Sequence, residues 1–346
     1  MWQIYCLERK VVMKSKWSIF VLACWVLVCL TGCGGDLETQ RSVLRVGVVL
    51  YTQDDPFIKA LTDCLREDLE EYETDSLKII MTVRDGKNDQ GLQDEVVEEI
   101  LDAGCDILVV DLVDRTEPSN IIKMAKKENI PVIFFNREPV REDLMQWDRL
   151  YYVGAPALQS GILQGEMAAD LFQKDPSVDK NEDGVFQYVV LEGEMDHQDA
   201  IVRTEYAINT ITEQGVSVEK LGYGIANWNR GQAQTKMTQM IEQYGDAIEL
   251  VLANNDDMAL GAIDAYKAAE IDQEEWPAIF GIDGTDVGKT ALNKGELKGT
   301  VYNDKEGQAE AMLKLAVGLA TDSSLEDLGL ENGKYIRLPY TKLERQ

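Results

Sequence analysis

The chain has 346 residues, 45% of them hydrophobic and 28% charged, which suits a globular protein of about two domains and excludes a disordered or fibrous one. With 34 basic against 62 acidic residues its formal charge is −28, so nucleic acid is a poor partner and no basic patch for one is expected.

The N-terminus differs from the rest. Lys14 and Lys16 precede an apolar run over 19–30 that is too short to span a bilayer comfortably, and Leu30-Thr31-Gly32-Cys33 follows it. Residues 1–32 therefore read as a lipoprotein signal peptide. Cys33 is the expected lipidated N-terminus of the mature chain, and residues 33–43 are a tether carrying no apolar period. Met13 is an alternative start. Two further cysteines remain, Cys64 and Cys105, with no zinc spacing and no disulfide framework; buried thiols are expected, and a bridge between them stays open.

From Leu44 onward, short β-branched runs alternate with helical patterns, as in a parallel sheet covered by helices. Strands are expected over 44–51, 77–83, 106–110 and 131–135, with amphipathic helices between them; Phe57, Ile58, Leu61, Cys64, Leu65 and Leu69 mark the first helix. The pattern restarts at 151–154. It continues with helices over 158–172, 200–212, 232–244 and 258–268 and strands over 186–191, 218–223, 248–253 and 278–282. A strand over 299–303, a helix over 306–319 and a strand near 335–338 close the chain. The fold class is α/β, with two Rossmann-like doubly wound lobes.

Ligands of open α/β sheets bind beyond the carboxyl ends of the strands, so the residues standing there are the candidates. They are Asp54, Asp55 and Phe57; Asn136, Arg137 and Glu138; His197, Asp199 and Arg203; Trp228; Asn254, Asn255 and Asp256; Asp283; and Asn303. Any single Asp or Asn there could simply cap a helix. As a set they suit a sugar: carboxylates and amides meet hydroxyls, Arg and His donate, and the faces of Trp228 and Phe57 cover the C–H surfaces of a ring.

A second constellation begins at Asp179. Asp179, Asn181, Asp183 and Gln187 stand at positions 1, 3, 5 and 9 of an EF-hand-like calcium loop, Gly184 at the sharp turn, and Val185 supplies a backbone carbonyl at position 7. Position 12 is Val190, so the bidentate carboxylate has to come from elsewhere.

Together these segments resemble the periplasmic galactose/glucose-binding protein family, the solute receptors of ABC sugar importers. The resemblance is carried by Asp54-Asp-Pro-Phe57, Phe134-Phe-Asn-Arg-Glu-Pro139, Tyr152-Val-Gly154, the calcium loop, Gly193-Glu-Met-Asp-His-Gln-Asp199 with Arg203, Ala253-Asn-Asn-Asp256, Gly281-Ile-Asp283 and Gly299-Thr-Val-Tyr-Asn-Asp304. It implies a type I periplasmic binding protein fold whose lobes are joined by a three-strand hinge. The implied N-terminal lobe is 44–153 with 305–334, and the C-terminal lobe 154–304 with 335–346.

It further implies that Asp55, Asn136, His197, Asp199, Arg203, Asn255, Asp283 and Asn303 hydrogen-bond a hexose, galactose or glucose, while Phe57 and Trp228 stack on its faces. Glu249 would complete the calcium site. The implied partners are an ABC permease and, on the alternative reading of a sugar sensor, a chemoreceptor or histidine kinase. A lipid-anchored monomer on the extracytoplasmic face of the cell membrane is expected. An enzyme is not expected: there is no phosphate loop of the form G-x-x-x-x-G-K-[ST] and no G-x-S-x-G turn. A pentose or another polyol is the remaining alternative for the ligand.

Overall fold

The computed structural model describes residues 42–195 and 197–345. The expected signal peptide and the lipidated Cys33 lie outside the described residues. Thr74–Lys78 group with Ser42 and Val43 as a small unit, within which Ser42 N donates to Ser76 O at 2.8 Å. The other unit is Leu44–Glu73 with Ile79–Gln346.

Its first sheet contains β1 (Ser42–Leu50), β2 (Leu77–Asp85), β3 (Ile107–Val110), β4 (Val132–Phe135) and β5 (Leu150–Gly154). Between them run α1 (Pro56–Glu71), α2 (Gln90–Ala103), α3 (Ser119–Glu128) and the single turn α4 (Arg141–Leu144). The second sheet contains β6 (Val185–Glu192), β7 (Ser217–Ile225), β8 (Leu250–Ala253), β9 (Ala278–Asp283) and β10 (Gly299–Tyr302). Its helices are α5 (Ala157–Lys174), α6 (Gln198–Glu213), α7 (Arg230–Tyr244), α8 (Asp256–Ala268) and α9 (Asp286–Lys294). The chain ends with α10 (Lys305–Ala320), β11 (Tyr335–Arg337) and β12 (Thr341–Glu344).

The strand orders are β11-β5-β4-β3-β1-β2 and β12-β10-β9-β8-β6-β7. The central strands are parallel, as in β1 on β3 (Val46 opposite Ile107) and β8 on β9 (Leu250 opposite Ala278). Strands β3, β4 and β8 are buried at every residue, because helices cover both faces of each sheet; this is why their sequences read as continuous apolar runs and not as alternations.

The chain passes between the lobes three times. After Gly154 it leaves β5 for α5, which packs on the second sheet, and after Tyr302 it returns through α10, which packs on α1. The last passage differs from expectation. The resemblance puts residues 335–346 in the second lobe, yet Tyr335–Arg337 pairs in parallel with Tyr152–Gly154 in the first. Leu338 N then prolongs that ladder by donating to Gly154 O at 2.8 Å, so the crossing falls after Leu338, and only β12, antiparallel to β10, belongs to the second sheet.

Of the two described cysteines, Cys105 agrees with the sequence reading and Cys64 departs from it in its exposure. Both are free; Cys105 is buried, with its thiol pushed up to about 11 by desolvation, but Cys64 is only partly covered. The helix α9 and the strand β12 have no counterpart among the expected elements, the former because Asp286–Lys294 is short and polar.

Candidate functional site

The carboxyl ends of both sheets face one cavity. It is lined by Asp55, Phe57 and Asn136 from the first lobe and by His197, Asp199, Arg203, Trp228, Asn255, Asp283 and Asn303 from the second, joined by Tyr51 and Arg137. All ten residues singled out from the sequence as sugar contacts therefore meet in one place. Asp54 does not; it lines a wider polar vestibule with Thr52, Asn88, Asn227 and Asp257.

Several of these residues hold the scaffold as well as the cavity. Asp55 caps α1: its Oδ1 accepts from Phe57 N (2.8 Å) and Ile58 N (3.0 Å), while Oδ2 accepts from the Tyr51 hydroxyl (2.6 Å). Asn255 caps α8 by accepting from Met258 N at 2.9 Å. Capping aims the positive ends of these helices at the cavity and leaves lone pairs over, since each carboxylate or amide oxygen can accept twice. Asn303 is oriented by Gln308 Nε2, which donates to its Oδ1 at 2.7 Å.

Arg203 is the central cation of the second lobe. Its Nη1 donates to Asn254 O (2.7 Å), its Nη2 to the Tyr340 hydroxyl (3.0 Å), and Asp283 Oδ1 lies 3.9 Å away. The buried Nε has no protein partner, an unsatisfied donor in a residue that lines the cavity. Burial raises the Asp283 and Asp199 carboxyls above the usual range, and Arg203 opposes the shift in both.

His197 is held well below its ordinary value by burial and by the nearby cations Arg137, Arg203 and Arg115, so it is neutral at pH 7. Its Nδ1 accepts from Asp199 N at 3.2 Å, which places the ring proton on Nε2 as a donor. The imidazole meets the Trp228 indole edge-on, with centroids 5.2 Å apart.

Trp228 stands in a left-handed backbone conformation (φ 60°). The indole lies so close to Gly193 that a Cβ at that position would collide with it. Substituting Gly193 with alanine is expected to tilt the indole and weaken ligand binding about tenfold, since overpacking of this kind costs about 1–3 kcal/mol. Titration calorimetry against the parent protein would measure the loss, and unchanged affinity would show that the tryptophan position is immaterial.

Arg137 links the lobes. Its guanidinium stacks over the Tyr51 ring (3.8 Å), donates to Val113 O (2.7 Å) in its own lobe and reaches Glu194 Oε2 (2.9 Å) in the other. Asp256 is wholly buried and structural: it accepts from the Thr285 amide and hydroxyl and from the Thr300 hydroxyl, tying the ends of β8, β9 and β10 together. Glu138 pairs with Arg337 at 2.7 Å.

Tyr51 and the fully buried Asp111 beneath Asn136 escape the sequence reading, whereas Arg137, a strand-end candidate outside the contacts that the resemblance implies, lines the cavity. The strand-end rule applied to β3 and to the last residue of the β1 run would find Asp111 and Tyr51.

Residues 46–324 match the family model described as a periplasmic binding protein domain. The chain belongs to this family. As a periplasmic binding protein it is 34% identical over 304 residues to the D-galactose/methyl-galactoside binding periplasmic protein MglB of Haemophilus influenzae, covering 87% of this chain and 89% of that one. A putative rhizopine-binding protein of Rhizobium meliloti is 30% identical, over 84% of this chain and 89% of the relative.

Among solved structures, an ABC transporter solute binding protein from Bacillus halodurans with bound myo-inositol superposes with a TM-score of 0.72 at 27% identity, covering 90% of this chain and 96% of that one. The two-lobed α/β architecture is thus that of the family. No helix among the described residues is long and apolar enough to cross a membrane.

Proposed function

We propose that this chain is the extracytoplasmic sugar-binding component of an ABC importer, closing its two lobes on a hexose, galactose or glucose, and delivering it to the permease. The observation that supports this most is the convergence of carboxylates, amides, a neutral histidine, an arginine with an unsatisfied Nε and two aromatic side chains from both lobes on one cavity. Such a lining serves a compact, uncharged, hydroxyl-rich molecule with apolar faces. The names of two relatives point the same way, one a D-galactose/methyl-galactoside binding protein and the other a solute binding protein with bound myo-inositol. Contacts from both lobes favour the closed form in proportion to the difference in ligand affinity between open and closed states. Cys33 would fix the chain to the outer face of the membrane by lipid.

Calorimetry of a soluble protein beginning near Leu44, titrated with galactose, glucose, xylose, ribose and myo-inositol, tests the reading. Micromolar or tighter binding of galactose or glucose is expected; binding of a pentose or inositol alone would replace the substrate, and no binding at all would sink the function.

Calcium is part of the same proposal. Asn181 Nδ2 and Gln187 Nε2 both donate to Asp183 Oδ2, at 2.9 and 2.8 Å, so the three side chains gather at one carboxylate oxygen. The Glu249 carboxylate is drawn to the loop by the Lys180 and Gln187 amides, at 2.5 and 3.2 Å. Gln187 Oε1 is buried with no partner, as an oxygen awaiting a cation would be, and Lys180 Nζ is turned away onto Ile248 O and Glu275 O. With Asp179 and the Val185 carbonyl these residues would offer calcium an all-oxygen set once the Asn181 and Gln187 amides turn their oxygens inward, and the ion would staple the loop before β6 to the residue preceding β8. Calcium at a hundredfold excess over its dissociation constant is expected to stabilise the protein by about 2.7 kcal/mol, so chelation should lower the thermal midpoint. An unchanged midpoint with and without chelator would remove the metal from the account.

A further inference from the structure

The carboxylate of Asp111, at the end of β3, is completely buried and lies directly beneath the side chain of Asn136. The Asn136 amide nitrogen faces both of its oxygens, at 3.3 and 3.2 Å, and Arg137 N approaches Oδ1 at 3.4 Å. Asn136 is itself fixed: its backbone is left-handed (φ 56°) and its carbonyl accepts from the Tyr152 hydroxyl at 2.8 Å. The one freedom left to its side chain is which end of the amide points down to Asp111 and which points into the cavity.

We propose that Asp111 decides which end of the Asn136 amide faces the cavity, and with it whether Asn136 offers the ligand a hydrogen-bond acceptor or a donor. The inference rests on the sugar-binding reading and deepens it by naming a positioning residue behind a contact residue. An ionised carboxylate can only accept, so it holds the amide nitrogen down and turns the amide oxygen toward the ligand. A protonated one has an O–H to donate. With Oδ1 kept toward Arg137 N, the proton on Oδ2 pairs with the amide oxygen, and the amide turns over to present its nitrogen.

The groups facing Asp111 are Asn136 and Arg137 at the end of β4, Asp55 at the head of α1 and Tyr51 after β1. Arg137 is the cation among them, and its guanidinium hydrogen bonds go to Glu194 and Val113. Desolvation, opposed chiefly by Arg137, accordingly lifts the Asp111 carboxyl to about 8. Both states are then accessible near neutral pH.

The test compares the tightest-binding sugar with its monofluoro derivatives, in which one hydroxyl loses its donor, by calorimetry at pH 6.5 and 9.5. At one ring position, discrimination against fluorine is expected to rise at least about threefold at the higher pH, where Asn136 needs a hydroxyl donor. Asp111→Asn, which cannot ionise, should show the same discrimination at both pH values. A ratio that does not change with pH in the parent, or that changes equally in D111N, overturns the proposal.

A second measurement needs neither sugar nor variant folding: the side-chain amide nitrogen resonance of Asn136 in the ligand-free parent, expected to titrate with a midpoint near 8. A flat resonance overturns the proposal even if sugars bind. A titrating resonance in a protein that binds no sugar would overturn the functional reading and leave the switch standing.

Discussion

Replacing Arg203 with methionine is expected to abolish sugar binding and to lower the stability of the ligand-free protein by about 3–5 kcal/mol, the usual effect of removing one partner from a buried charge pair. Methionine fills much of the same volume, so packing alone changes little. The loss is electrostatic. Burial already pushes the Asp199 and Asp283 carboxyls upward, and Arg203 opposes this in both. Without it they shift further toward the neutral acids and can no longer serve as strong acceptors for hydroxyls. The bonds to Asn254 O and Tyr340 also disappear, and Tyr340 lies just beyond the third passage between lobes, so the hinge loses a tie to α6. Lysine restores the charge but not the forked geometry, and should recover stability more than affinity. Urea denaturation and calorimetry on the same preparations separate the two effects; parent-like affinity in Arg203→Met would contradict the assigned role.

Trp228→Ala should weaken binding by at least about 2 kcal/mol, roughly 30-fold, because a large aromatic wall of the cavity is lost. Phenylalanine keeps an aromatic face and should lose only a few-fold. The indole also shields neighbours: it packs on the His197 ring, and the Arg203 guanidinium lies 5.7 Å from its centroid. Water entering in its place would weaken every polar contact nearby. Equal affinities for the alanine and phenylalanine variants would mean that the aromatic face does not touch the ligand.

Much of this site is legible in the amino-acid sequence because strand ends in a doubly wound sheet are short, polar and separated by recognisable apolar runs. The Asn254-Asn255-Asp256 end of β8 shows both the reach and the limit of that pattern. Three polar residues stand in a row, but only Asn255 lines the cavity, whereas the Asn254 side chain accepts from Gly193 N and Asp256 knits neighbouring strands. Their division of labour depends on which way each side chain points, which adjacency in sequence does not encode. Arg137 bridging to Glu194 depends on lobe placement, a long-range property with no local signature. The misplacement of Tyr335–Arg337 has a similar origin: a three-residue strand has too little pattern to declare which sheet edge it extends.

That short strand has a consequence for how the molecule is made. The first sheet takes its β11 edge from residues that follow all of the second lobe except its last strand, β12, and α10, which covers α1, is likewise late in the chain. A growing polypeptide stopped anywhere before Lys305 would expose the uncovered side of α1 and an unpaired β5 edge, a surface open to unwanted strand addition. The N-terminal half cannot mature on its own schedule; it has to wait for the C-terminus, and truncation by even the last dozen residues should injure the beginning of the protein as much as its end.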